Sequence, residues 1–98
     1  MTTPEPIGAG TLKLIVLDAR RDLVAVAKAA LHAHVRPQDI RRAGASALIV
    51  YCTAAPSDVR DWLAPLLAED ESALVTEFER WSARGAAIDR RWMLRRGH

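Results

Sequence analysis

The chain is poor in the residues that usually advertise a chemistry. Among its 98 residues there is one cysteine, there are three histidines, and the aromatics are three Trp, one Tyr and one Phe. One cysteine, Cys52, excludes an internal disulfide framework, and no Cys or His spacing matches a structural zinc site. Long apolar runs are missing too. The longest uncharged stretch, Ala43 to Ser57, is interrupted by Pro56 and small residues and is too short to span a bilayer, so no membrane segment is expected. Met1 to Leu12 holds Glu5, two prolines and no basic residue, which is not the pattern of an export signal and points to the cytoplasm. There is no Gly-rich phosphate loop and no complete nucleophile–base set, and no cofactor is assigned.

What is present is an ordinary globular composition, half apolar and 27% charged, in a chain whose length supports one domain. The net charge of +2 conceals segregation. Residues 56–79 carry Arg60 against seven carboxylates, among them Glu69, Asp70 and Glu71, whereas residues 80–98 carry six arginines against Asp89. Twelve of the fourteen basic residues are Arg beside eighteen Ala, a pairing that GC-rich codon usage explains without a phosphate-binding role.

Residues 1–10, with Pro4, Pro6, Gly8 and Gly10, read as a flexible lead-in to a single α+β domain over 11–98. Leu12 to Leu17 is a β-branched apolar run of strand length. Arg20 to Val35 has apolar residues every three or four positions, as in an amphipathic helix, capped by Asp18 or Asp22 and ended by Arg36-Pro37. Asp39–Arg42 and Ala47–Thr53 read as a hairpin about Ala43-Gly44. Val59, Trp62, Leu63, Leu66 and Leu67 outline a second helix that Pro65 should kink near Asp61–Trp62. Ala73 to Ser82 is strand-like in composition, yet Leu74, Phe78 and Trp81 also keep helical spacing. A strand there completes the order β-α-β-β-α-β, a ferredoxin-like split βαβ sandwich, with an extra C-terminal helix from Ala86 to about Arg96.

The two runs rich in Leu, Ile and Val then fall on the first and third strands, which are central in that arrangement. Both of their faces are apolar: Leu14, Val16, Leu48 and Val50 are assigned to one, and Ile15, Leu17, Ile49 and Tyr51 to the other. Two helices cover one face only. The second is expected to be closed by a symmetric copy, giving a homodimer, or else by the chain's own last helix through Ile88, Trp92 and Met93.

Each candidate for chemistry has a structural alternative. Asp18, near Asp22 and Arg20, resembles in position the aspartate of small ferredoxin-like metal nucleases; the match is one residue type in one place and carries no activity over. Cys52 precedes a helix start but reads as a buried thiol. His32 and His34, two apart on a helix, lie about 200° around its axis and cannot share an ion. The basic tail, Arg80 to Arg96 with Trp81 and Trp92, suits phosphate and base stacking, but the central strands offer only Tyr51 as a sheet aromatic for single-stranded RNA. The sequence is therefore read as a cytoplasmic, non-enzymatic interaction module that self-associates and binds another protein through Trp81, Trp92, Arg84, Arg91 and Arg95. The second reading is a nucleic-acid-binding protein using the same tail, and the third a metal-dependent enzyme using Asp18.

Overall fold

The structure, a computed structural model, describes residues 10–96. It is a small α+β arrangement in which a four-stranded antiparallel sheet carries three α-helices. Strand β1, Thr11–Asp18, is followed by helix α1, Leu23–Leu31, and then by the hairpin of β2, Ile40–Arg42, and β3, Ala47–Cys52. Helix α2, Pro56–Leu63, leads to β4, Ser72–Phe78, and the short α3, Arg90–Leu94, ends the described chain. The strands lie in the order β2-β3-β1-β4, with β1 and β3 in the centre. None of these helices is long and apolar enough to cross a membrane.

Local chemistry explains most boundaries, including those that differ from expectation. Asp22, not Asp18, caps α1 by accepting from the Ala25 N–H at 3.3 Å, so the helix starts at Leu23 rather than Arg20. It ends at Leu31 because the next residues tighten into three-residue turns, Ala33 N–H to Ala30 O and His34 N–H to Leu31 O. His32 and His34 therefore lie beyond the regular helix. Arg36, extended as a residue before proline must be, leads into a 3-10 turn at Pro37–Asp39. The hairpin turns at Gly44, whose φ of 96° favours glycine.

Pro56 occupies the first turn of α2, where its missing N–H costs nothing, and the Asp58 carboxylate accepts from the Ala55 N–H at 3.2 Å. The expected kink at Asp61–Trp62 is absent. The helix runs unbroken to Leu63, and Pro65 sits past its end in a 3-10 turn over Ala64–Leu66, where no α-helical bond to Asp61 is required. The segment with mixed signals is a strand, but it stops at Phe78, opposite Leu12 near the start of β1. Trp81 accordingly lies in the irregular stretch 79–89. The last helix is also shorter than expected, because Asp89 caps it by accepting from the Trp92 N–H at 3.0 Å.

The antiparallel register decides which side chains share a face, since cross-strand partners project together. Ile15 pairs with Leu48 and Leu14 with Ile49. The face assignment from sequence was thus out of phase for β1: Ile15 and Leu17 join Leu48 and Val50, while Leu12 and Leu14 join Ile49 and Tyr51. Ile15, Leu17, Leu48 and Val50 pack with Leu23, Val24, Ala27 and Leu31 of α1 and Val59 and Leu63 of α2. On the opposite face Leu12 and Ile49 pack with Trp92 and Met93 of α3.

The chain's own last helix therefore covers part of the second face, the alternative to closure by a copy. The expected lead-in, residues 1–10, lies outside the described residues except for Gly10. That glycine is buried against Tyr51, and a Cβ there would approach the ring to 2.8 Å. Trp92 is 1% exposed. Replacing it by Ala is expected to cost about 3–5 kcal/mol, as for other large buried aromatics. Urea unfolding monitored by far-ultraviolet circular dichroism measures the loss.

Candidate functional site: the second face of the sheet

The second face is held at one end by a polar latch around Trp92. The Trp92 indole N–H donates to the Gln38 carbonyl at 2.6 Å. The Arg96 guanidinium donates to the same carbonyl, to the Trp92 carbonyl at 3.1 Å and to Asp39 Oδ1 at 2.9 and 3.1 Å. It also lies over the Trp92 ring, 4.3 Å from the centroid. Asp39, buried, receives a second cation from Arg36 at 3.1 Å. Arg41 extends the network, 3.6 Å from Asp89 and 5.6 Å from the Trp92 centroid. Asp89's carboxyl is held below its usual range, first by the Trp92 N–H and then by the charges of Arg41 and Arg95.

This placement sorts the expected contact residues. Trp92 lies in the chain's own core, on the side of α3 that packs against Leu12 and Ile49, rather than at the surface. Trp81 is half-buried, while Arg84, Arg91 and Arg95 are exposed and form no ion pair among the described residues. Arg96, by contrast, is engaged structurally.

Between the sheet and the segment leading to α3 lies a cleft of about 370 Å³. Leu14, Ile49, Phe78, Ile88 and Met93 make its apolar walls, and Trp81, Ser82 and Arg84 also line it. The Trp81 indole nitrogen is buried without a hydrogen-bond partner among the described residues. Beyond the latch, the cross-strand pair Val16 and Leu74 remains 38% and 62% exposed.

The other candidates are dispersed. Asp18 is exposed at the end of β1, and its neighbour Asp22 is occupied by Arg42 at 3.1 Å, which with the Ala25 N–H lowers the Asp22 carboxyl's pKa. Among the described residues no group of three or more His, Cys, Asp or Glu could hold a metal ion. Cys52 is half-buried with its Sγ 4.0 Å from the Ala54 carbonyl. His34 stacks on Trp62, ring centroids 4.2 Å apart and planes 1° from parallel. His32 is exposed, and His98 lies outside the described residues.

Lys13 was missed. Its ammonium is buried in the central strand and donates to Thr11 Oγ1 and the Cys52 carbonyl, both at 2.6 Å, with Glu77 at 3.8 Å. It pins β1, β3 and β4 at one end, and the signal for it was a lone lysine inside an apolar strand.

No family model, curated protein or solved structure matches this chain.

The acidic segment before β4 is also partly committed. Glu71 takes a two-pronged bond from Arg21 at 2.7 and 2.8 Å and accepts from the Ala68 N–H at 2.8 Å, leaving Glu69 and Asp70 exposed. Arg21, and secondarily the Ala68 N–H, bring the Glu71 carboxyl down from 4.5 to about 2. Because the folded value is the lower one, this contribution to stability is full above pH 4.5 and is lost as pH falls toward 2. Glu71→Gln is expected to remove that part of the acid limb of a stability-versus-pH curve, which thermal melts across the range record.

Proposed function

We propose that the protein is a cytoplasmic, non-enzymatic interaction module of ferredoxin-like split βαβ architecture, which pairs with a second copy of itself and binds another protein. Supporting the architecture are the order β-α-β-β-α-β, the central positions of β1 and β3, and the packing of α1 and α2 on one face. A single thiol suits a reducing compartment.

The observation that carries self-association is the edge of β4. This seven-residue strand pairs with β1 on one side only, and its one charged residue, Glu77, bonds to Thr11 at 2.8 Å. Acidic Glu69 and Asp70 lie just before it, and after it come Glu79, Arg80 and Arg84, one acidic residue against two basic ones. In an antiparallel pair of β4 strands about a two-fold axis, the start of one strand meets the end of the other, so each acidic flank faces a basic one. The contact also shelters Leu74, the most exposed of the large hydrophobics among the described residues. Arg91 and Arg95, one turn apart on the far side of the latch, are the surface left for a further partner.

Light scattering on a sizing column, at low and high salt, measures the assembly. Twice the chain mass is expected, weakening with salt, and a single-chain mass at every salt and concentration contradicts the reading. Leu74→Lys is expected to give monomer with unchanged circular dichroism. Asp70→Arg and Arg80→Glu should each weaken the dimer, and the double variant should restore it. The exposed Arg91 and Arg95 also suit phosphates, and nucleic acid that co-elutes and is released by salt would favour the nucleic-acid reading.

A further inference from the structure

We infer that the cleft beside α3 is a binding site for a small carboxylic acid with an apolar body. The walls decide the body of the ligand. Leu14, Ile49, Phe78, Ile88 and Met93 present hydrocarbon and thioether surface, and the volume of about 370 Å³ falls in the range of small-molecule pockets. Beside the Ser82 hydroxyl, which can donate or accept, two further donors decide its head. The Trp81 N–H is buried with no acceptor among the described residues, a condition that is costly unless something supplies one. Arg84, which also lines the cleft, makes no hydrogen bond or ion pair among the described residues. A neutral carbonyl could accept from both, as the Gln38 carbonyl does from Trp92 and Arg96, but it would leave the charge of Arg84 uncompensated, and a cation would be repelled by Arg84. A carboxylate answers both, accepting from the indole with one oxygen and from the guanidinium fork with the other.

The setting permits such a ligand to enter. Trp81 and Arg84 stand in the irregular stretch between β4 and α3, so they adjust without breaking a strand or a helix. The opposite wall is rigid, because Leu14 and Ile49 are registered partners on the two central strands and Met93 is buried under the latch. The latch is not needed to hold the ligand, and the cleft shares only Phe78 and Arg84 with β4 and its basic flank, the region proposed for self-association.

The test uses the full chain and the probes octanoate, octanol and octylammonium, and it reads the three tryptophan side-chain N–H signals by nitrogen-resolved NMR. Trp81→Phe assigns the signal that disappears. Octanoate is expected to shift the Trp81 signal saturably and to leave those of Trp62 and Trp92 nearly still. It should bind about fivefold or more tightly than octanol, with octylammonium weakest, and Arg84→Gln should reduce octanoate to the level of octanol. Equal affinity for the three probes, or an unchanged preference in Arg84→Gln, overturns the carboxylate assignment. A Trp81 signal that moves only with protein concentration gives the cleft to a second copy. One that moves on deletion of residues 2–9, and no longer answers octanoate in the intact chain, gives it to the chain's own N-terminal segment. Either of these also overturns the proposal.

Discussion

A sheet whose two central strands are apolar on both faces must be covered twice, and α1 and α2 are placed to cover it once. The rest of the molecule follows from how the second face is met. Trp92, on a helix of only five residues, is set against Leu12 and Ile49 and stands where a third long helix would, none being present among the described residues. So short a helix has little stability of its own. Its position depends on tertiary bonds, from the Trp92 indole to the Gln38 carbonyl and from Arg96 to Asp39, more than fifty residues away in sequence. The cost of burying Asp39 is offset because both Arg36 and Arg96 reach it, giving a charged group on the rim of the core two cations and several hydrogen bonds.

The same economy of cover leaves the open features of the surface. The latch shields one end of the second face, the cleft lies next to it, and the pair Val16 and Leu74 remains at the side nearest the β4 edge. Self-association and ligand binding are therefore proposed for what α3 leaves uncovered. Lys13 and the Arg21 to Glu71 clamp work on the other features of the sheet, tying β1 to β3 and β4 and tying the entry of α1 to the loop before β4.

Legibility in the sequence followed the range of the interactions. The central strands were legible because a continuous run of Leu, Ile and Val has few other places to go, and α2 because its apolar residues keep helical spacing. Where local signals competed, as over residues 73–82, strand composition prevailed over helical spacing once β1 offered an edge to pair with, and the strand ended opposite the start of its partner. The facing of β1 was not legible, since a strand apolar on both sides carries no phase; the register with β3 decides it. Trp92 was recognised as an aromatic able to close the sheet or to anchor a partner, but its choice rests on Gln38 and Asp39, contacts with no local signature. Asp39 looked like the start of a polar edge strand and is instead a buried acceptor.

The central claim is that Trp92 covers part of the second sheet face from within its own chain. An isotope-filtered NOE experiment on an equimolar mixture of labelled and unlabelled protein tests it directly, by separating contacts within a chain from contacts between chains. Contacts from the Trp92 ring to the methyl groups of Leu12 and Ile49 are expected only within a chain, at every protein concentration. Their absence, or their appearance only between labelled and unlabelled chains, would mean that the face is open or is closed by exchange with a second copy, and would contradict the account.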